Sequence, residues 1–214
     1  MLPRSLEQWF LWHLLKTGRL NVIGLMKNLI LLLRWPLQAK NCKLFYLRGQ
    51  AVDQVQNWIE EAWSSEIKRR IYVGWGPAIE WLKSRDAQIV LLSGTPRPLA
   101  EPLMRHFQIS HALCAEPEIV DQHYTGRLLR PHPKGRGKVD YAGQWLHNQG
   151  AAWQETIAVA NDWPDRFLLN RTRPIAVHPS RRLLRLAHKR HWQVVRNPGK
   201  NAELVHALQR FFNP

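Results

Sequence analysis

From Val73 onward, the chain alternates short apolar runs with segments in which apolar side chains recur at helical spacing. Short runs of Val, Ile, Leu and Ala are typical of parallel strands that are buried on both faces. Because parallel strands need helix-sized crossovers, this alternation predicts an α/β sheet. The predicted strands cover residues 88–92, 112–115, 156–160 and 174–177. The predicted helices cover residues 77–84, 98–107, 138–148, 166–170 and 180–191.

The first third of the chain predicts helices alone. These helices cover residues 5–16, 22–35 and 52–68. Ser5 is a suitable N-cap for the first helix, Gly18 ends that helix, and Pro36 stops the second. The sequence therefore predicts a helical cap over residues 1–72 and an α/β core over residues 73–214.

The chain carries a large excess of positive charge. Lys and Arg number 31 against 16 Asp and Glu, which gives a formal net charge of +15. This charge favours partners that bear phosphate, namely nucleotides, nucleic acid or an anionic membrane surface. No sequence pattern of a known nucleic-acid-binding module accompanies it, so nucleic acid is not the expected partner.

The cysteine content and one apolar stretch bear on localisation. Two cysteines, Cys42 and Cys114, argue for a reducing compartment, so we expect a cytoplasmic protein. The apolar stretch at residues 20–37 is interrupted by charged side chains and is too short to span a bilayer. We expect it to form an amphipathic helix that packs on a neighbour or associates with a membrane surface.

Polar residues that follow the predicted strands are candidate ligand-binding residues, because open parallel sheets bind ligands at the carboxyl ends of their strands. Ser93 and Gly94 follow the first strand and offer a hydroxyl group and close backbone approach; an ordinary strand-to-helix turn is the alternative. Gly135 and Gly137 flank a flexible loop whose Lys138 could neutralise a phosphate. A solvated basic turn is the alternative there.

An acidic loop follows the strand predicted at residues 156–160. It contains Asp162 and Asp165, three residues apart. Magnesium is usually held by one or two carboxylates together with water and substrate phosphate, and this pair suits it. Alternatively, Asp162 caps a helix that starts near Pro164, with Asp165 in its first turn.

In this order and spacing, these three segments resemble the haloacid dehalogenase superfamily of aspartate-nucleophile phosphatases, and in particular its phosphoserine-phosphatase-like branch. The resemblance covers about residues 73–195, including SGTPRPLAEPLMRHFQI from Ser93, HYTGRL from His123 and GKVDYAGQWL from Gly137. It implies a Rossmann-like, three-layer α/β core with an N-terminal helical cap. It also implies Mg2+-dependent hydrolysis of a phosphomonoester through an aspartyl-phosphate intermediate. The apolar helix predicted at residues 22–35 adds a lipid phosphate to the small molecules as a candidate substrate.

The resemblance implies a role for each candidate residue. Ser93 corresponds to the phosphate-binding hydroxyl, with Gly94 beside it, and Lys138 to the lysine that balances the charge of the transferred phosphoryl group. Asp165 corresponds to the second acid of the metal motif. Asn161 stands where the family has the first metal-binding acid, and Asp162, one place along, is the candidate to replace it.

One departure from the family is larger than the others. The family's first motif, an apolar strand ending in Asp-x-Asp-Gly-Thr, supplies the nucleophile and the general acid, and this chain contains no such motif. Residues 2–10 resemble the residues that follow the motif, so we expect a misassigned start or a disrupted gene, and a chain that is inactive as printed. The absent strand is the family's central one. Without it, two inner strand edges would have to pair with each other or stay unpaired.

A non-catalytic role is the alternative function. The helix predicted at residues 180–191 has a basic face that includes Arg181, Arg182, Arg185, Lys189 and Arg190. Such a face is usually solvated, but together with the net charge it could bind anionic lipid, a phosphate ligand or nucleic acid.

Overall fold

Helices and short strands alternate along most of the chain in the computed structural model, which describes residues 1–3, 5–20, 44–199 and 202–212. The helices are α1 (Leu6–Lys16), α2 (Val52–Ala62), α3 (Trp75–Lys83), α4 (Arg97–Phe107), α5 (Arg136–Gln149), α6 (Arg166–Leu169), α7 (Arg181–Lys189) and α8 (Glu203–Phe212). The strands are β1 (Val90–Pro96), β2 (His111–Ala115), β3 (Pro117–Val120), β4 (His123–Leu128), β5 (Ile157–Ala160), β6 (Arg173–Val177) and β7 (Gln193–Val195). The mixed α/β architecture predicted from the sequence is confirmed.

Parallel strands form two separate sheets. In the first, β1 pairs with β2, starting from Val90 opposite His111. In the second, β6 lies between β5 and β7, with Ala176 opposite both Ala160 and Val194. The strands β3 and β4 form an antiparallel hairpin. The parallel pairing agrees with the alternation of apolar runs and helical segments in the sequence, because parallel strands need helix-sized crossovers.

The inner edges of the two parallel sheets remain open. Among the residues that the structure describes, β1 pairs with β2 alone and β5 with β6 alone, so β1 and β5 are not hydrogen-bonded to each other. Helix α3 connects the two sheets: Ala78 packs with Ile175 of the second sheet, Ile79 packs in the cluster beneath β1, and Trp75 touches both clusters. On another side, α5 packs against β1 and α6.

The helical N-terminal part shares one hydrophobic cluster with part of the core. Phe10 of α1 and Val55 of α2 are fully buried in the same cluster as Leu99 and Leu103 of α4. The segment before α2 is also tied to the hairpin, because the Leu44 amide donates to the Gly126 carbonyl over 3.0 Å. The division into residues 1–72 and 73–214 therefore stays a prediction.

Two predicted helices of this part have different outcomes. The helix predicted at residues 22–35 lies outside the described residues. The helix predicted at 52–68 is regular only to Ala62 and continues as a π-helical turn, Trp63–Ile67. Serine hydroxyls explain the change, because Ser64 and Ser65 donate to the carbonyls of Glu60 and Glu61 and compete with the helical pattern.

A membrane-spanning helix is absent from the described part of the chain, where no helix combines sufficient length and apolar character.

Gly74 makes a close backbone contact that a side chain would disturb. A Cβ atom at this position would lie 1.7 Å from the Pro198 carbonyl oxygen. We expect Gly74→Ala to lower the free energy of unfolding by about 2 kcal/mol, since the turn that holds Pro198 has to shift. Urea unfolding measures the change. Gly76→Ala is the matched control, because a Cβ there meets nothing within 4 Å, and equal midpoints for the two variants would contradict the prediction.

Candidate functional site

Ser93 and Gly94 lie in the final part of β1. The sequence predicted that the strand ends at residue 92, but it continues because Pro96 pairs with Ala115 after an irregularity in the register. The Ser93 hydroxyl donates to Thr95 Oγ1 over 3.0 Å and accepts a hydrogen bond from the Thr95 amide over 3.1 Å. This arrangement fixes the serine rotamer and holds the hydroxyl at the carboxyl edge of the sheet.

His132 connects the β1 end to the start of α5. A Cβ atom at Gly94 would lie 2.6 Å from His132 Cε1, and one at Gly137 would lie 2.9 Å from the His132 carbonyl oxygen. Gly137 is therefore needed for this approach, because backbone would otherwise have to shift, whereas a side chain at Gly94 would displace the His132 ring. The sequence predictions missed His132. Its position between Pro131 and Pro133, just before the basic loop, indicates a residue whose backbone is restricted.

Lys138 and Asp165, two of the residues singled out in the sequence, form an ion pair. Lys138 Nζ lies 2.7 Å from Asp165 Oδ1, and the two side chains are only 16% and 10% exposed. Helix α5 positions the lysine, while a tight turn, Trp163–Asp165, positions the acid after β5. A poorly solvated ammonium group at the edge of a parallel sheet is suited to holding an anion.

Asn161 and Asp162 are both exposed, unlike Asp165. Asp162 Oδ1 accepts a hydrogen bond from the Trp163 amide over 2.7 Å, which is a capping contact of the kind the sequence offered as the alternative. The Asn161 carbonyl oxygen accepts from the Ser180 amide over 2.9 Å. The structure therefore brings Lys138 and Asp165 into contact and places Gly94 and Gly137 against one histidine, His132. Asn161 and Asp162 lie in the exposed loop before Asp165.

The described side chains do not fit a complete magnesium site. Among them, no group of three or more His, Cys, Asp or Glu residues could hold a metal ion. The Asp165 carboxylate is engaged by Lys138, and Mg2+ needs several hard oxygen ligands in octahedral geometry. Asp165 remains the buried carboxylate that could contribute one such ligand.

Cys114 is a nucleophilic residue type near this edge, on β2. Its side chain is buried, with 1% of the residue exposed. Burial raises the pKa of the Cys114 thiol to about 12. Since the thiolate is the reactive species, Cys114 is protonated at neutral pH and is unsuited to nucleophilic catalysis.

Alkylation tests this conclusion. In a Cys42→Ser variant, we expect iodoacetamide at pH 8.5 to leave the native protein unmodified and to modify Cys114 after unfolding in guanidinium. Because the pKa of the folded Cys114 thiol lies above its ordinary value of 9.0, the free energy of unfolding is retained below pH 9 and falls as the pH rises from 9 towards 12. Mass spectrometry gives the readout. Modification of the native protein within minutes would contradict it.

The chain is similar in sequence to known hydrolases. A sequence model described as haloacid dehalogenase-like hydrolase matches residues 3–170. A phosphoserine phosphatase of Mycobacterium tuberculosis, SerB1, is 26% identical over 152 residues, which are 71% of this chain and 49% of that protein. The chain spans about half the length of the curated relatives it matches.

Solved structures share the fold. A Bordetella pertussis protein of unknown function superimposes with a TM-score of 0.78 at 26% identity, covering 91% of this chain and 92% of that one. A phosphoserine phosphatase in its apo form superimposes with a TM-score of 0.66 at 15% identity, covering 98% and 92%. The second likeness concerns the fold alone. Together they agree with the Rossmann-like core expected from the sequence.

Proposed function

Because the chain belongs to the haloacid dehalogenase-like hydrolase family, we propose that its site is the phosphate site of a phosphoserine-phosphatase-like phosphomonoester phosphatase. We propose further that the printed chain binds phosphate without hydrolysing the ester. The Lys138–Asp165 ion pair beside the β1 end is the observation that carries this proposal. Phosphoryl transfer depends mainly on positioning and on charge stabilisation, and a fixed lysine contributes to both.

The proposed roles follow from the positions of the groups. The Ser93 hydroxyl and the backbone at Gly94 hold phosphate oxygens, and the Lys138 ammonium group neutralises their charge. Asp165 fixes the lysine at 2.7 Å. When phosphate is present, the Ser93 hydroxyl can turn from Thr95 to donate to it. Backbone amide groups at the start of α4 add further partial positive charge.

The missing group is the nucleophile. The printed sequence contains no Asp-x-Asp-Gly-Thr motif, and Cys114 is held protonated by its burial. The family generally uses Mg2+, which supplies positive charge beside a transferred phosphoryl group. Because the described residues hold one carboxylate, that of Asp165, at the buried edge, no step is assigned to a metal ion in this chain.

A direct assay tests the proposal. Phosphoserine and 4-nitrophenyl phosphate are each incubated with the protein and Mg2+, and released phosphate is measured. We expect no release above background, together with calorimetric binding of inorganic phosphate that is lost in Lys138→Ala. Turnover well above background that disappears in Lys138→Ala would overturn the proposed inactivity. Absence of phosphate binding would overturn the proposed site.

Non-catalytic binding of a phosphate ligand, the alternative function, coincides with this proposal for the printed chain. Lipid and membrane partners and a cytoplasmic location stay predictions from the sequence. The same calorimetric assay with anionic lipid vesicles distinguishes binding at the phosphate site from binding through the basic surface. Binding at the phosphate site must depend on Lys138, whereas binding through the basic surface must fall steeply with salt.

A further inference from the structure

Three arginines and two aromatic rings alternate along the edge that carries the phosphate site. The Arg136 guanidinium lies 5.2 Å from the Phe167 ring centroid, and the Arg166 guanidinium lies 4.0 Å from that ring. Arg166 also lies 4.4 Å from the Trp163 ring, and Arg182 lies 4.6 Å from the same ring. We call this set, Arg136, Phe167, Arg166, Trp163 and Arg182, the arginine ladder. It joins α5, α6 and α7.

The ladder arginines have their charge uncompensated by carboxylates. Among the described residues, none of the three guanidinium groups lies within the 4.0 Å of a carboxylate oxygen that defines an ion pair here. Other arginines do have such partners: Arg97 pairs with Glu116 and Arg127 pairs with Glu118. Three like charges separated by single rings repel one another, so an anion at this place would relieve the repulsion.

Stacking leaves the guanidinium groups ready to bind. A guanidinium uses its flat face against a ring, while its N–H groups point outward in its own plane. The Arg166 guanidinium donates one N–H group to the Trp163 carbonyl oxygen, over 3.0 Å. Arg136 and Arg182 are exposed at the two ends of the ladder. Because the rings already restrict these side chains, less entropy is lost when they bind an anion.

Sequence neighbours place the ladder beside the phosphate site. Arg136 precedes Lys138 by two residues on α5, and Trp163 and Arg166 flank Asp165 on either side. Lys138 and Asp165 are themselves in contact at 2.7 Å. Residues two apart on a helix do not face each other, so a ligand whose phosphate reached Lys138 would meet the ladder only through a group at some distance from that phosphate.

We propose that the arginine ladder is a second anion site, and that the phosphate site takes phosphomonoesters that carry a further anionic group at some distance from the first. This inference rests on the proposed phosphate site. The chemical class is a small organic bisphosphate. A role in packing alone, with rings and arginines joining the three helices, is the competing explanation.

A matched pair of ligands tests the proposal. Adenosine 5′-monophosphate and adenosine 3′,5′-bisphosphate differ by one phosphate group, and their dissociation constants are measured by calorimetry at one fixed salt concentration. We expect the bisphosphate to bind about tenfold more tightly. In Arg136→Gln and Arg182→Gln, the affinity for the bisphosphate should fall by more than the affinity for the monophosphate, so that most of the tenfold advantage is lost. Glutamine keeps a flat group over the ring and removes the charge.

Controls separate the site from general charge and from misfolding. Arg185→Gln removes an exposed charge from the same helix as Arg182, outside the ladder, and should leave the preference intact. Arg182→Lys keeps the charge without the planar fork and should recover part of the loss. Thermal unfolding shows whether each variant is folded.

Each outcome decides the matter. Equal binding of the two ligands, with Lys138-dependent monophosphate binding, overturns the ladder and leaves the phosphate site standing. A preference that Arg185→Gln reduces as much as Arg182→Gln also overturns it, because the effect would then be nonspecific charge. Binding of neither ligand overturns the phosphate site and this inference together.

Discussion

Lys138→Met is expected to lower the free energy of unfolding by about 3 kcal/mol, because it leaves the Asp165 carboxylate without its partner in a poorly solvated place. Lys138 Nζ and Asp165 Oδ1 are 2.7 Å apart, with side chains 16% and 10% exposed. The same change should abolish binding of inorganic phosphate. Urea unfolding and calorimetry give the two readouts. A double variant, Lys138→Met with Asp165→Asn, should recover much of the stability and none of the phosphate binding.

The matched control is Lys134→Met. Lys134 is exposed, lies four residues earlier, and has the same charge. We expect its stability to change by less than about 0.5 kcal/mol, as is usual for surface substitutions. If Lys138→Met and Lys134→Met unfold at the same urea concentration, the ion pair does not stabilise the fold, and the proposed role of Asp165 in fixing the lysine fails.

Fusion of an apolar strand that ends in Asp-x-Asp-Gly-Thr ahead of Met1 is expected to convert the chain into a phosphatase, with turnover on the order of 1 s⁻¹ or more in the presence of Mg2+. The inner edges of β1 and β5 are both open in the described structure. A parallel strand between them would bring its carboxyl end to the edge that carries Ser93 and Lys138. It would add two carboxylates beside Asp165, one of them a nucleophile.

The fused strand should also stabilise the protein. Backbone groups on the two edges would gain partners, at about 1 kcal/mol for each hydrogen bond formed. Burial lowers the pKa of the Met1 α-amino group to about 5, which shows that the charged amine is unfavourable at this position. In the fusion an uncharged peptide bond replaces the amine, so this unfavourable term is removed. The matched control is a strand that ends in Asn-x-Asp-Gly-Thr, which should give the same stability without turnover. A fused chain that is no more stable than the printed one would show that the edges do not accept a strand.

Four of the five parallel strands among the described residues, β1, β2, β5 and β6, were predicted from the sequence, because each contains a short apolar run between turn signals. The hairpin of β3 and β4 was not predicted. Its two turn residues, Asp121 and Gln122, both have positive φ, at 48° and 59°. A turn of this kind is usually recognised in a sequence by Asn-Gly or Asp-Gly, and Asp-Gln does not give that signal. Strand β7 has three residues, too few for periodicity to be read. Helix α8 follows it and was missed as well.

The roles of the site residues stay predictions. The resemblance to a known family gave Lys138 and Asp165 separate roles and did not predict the contact that the structure shows between them. The arginine ladder could not be found in this way, since stacking between residues of three helices leaves no spacing pattern in the chain. Trp163 is an example of a residue that the sequence did not single out. The loop around it was selected for Asp162 and Asp165, but the tryptophan ring between them contacts two arginines.

The position of α3 has a consequence for how the protein unfolds. This helix packs into the hydrophobic clusters of both parallel sheets, through Ile79 on one side and Ala78 on the other. Within the described residues, no hydrogen bonds between strands join the two sheets. Cooperative unfolding of the two sheets therefore depends on helix packing. Hydrogen exchange should therefore resolve two units with different opening free energies once α3 is weakened. The nine-residue α3 is thus one of the helical connections, together with α5, that decide whether the protein melts as one body or as two.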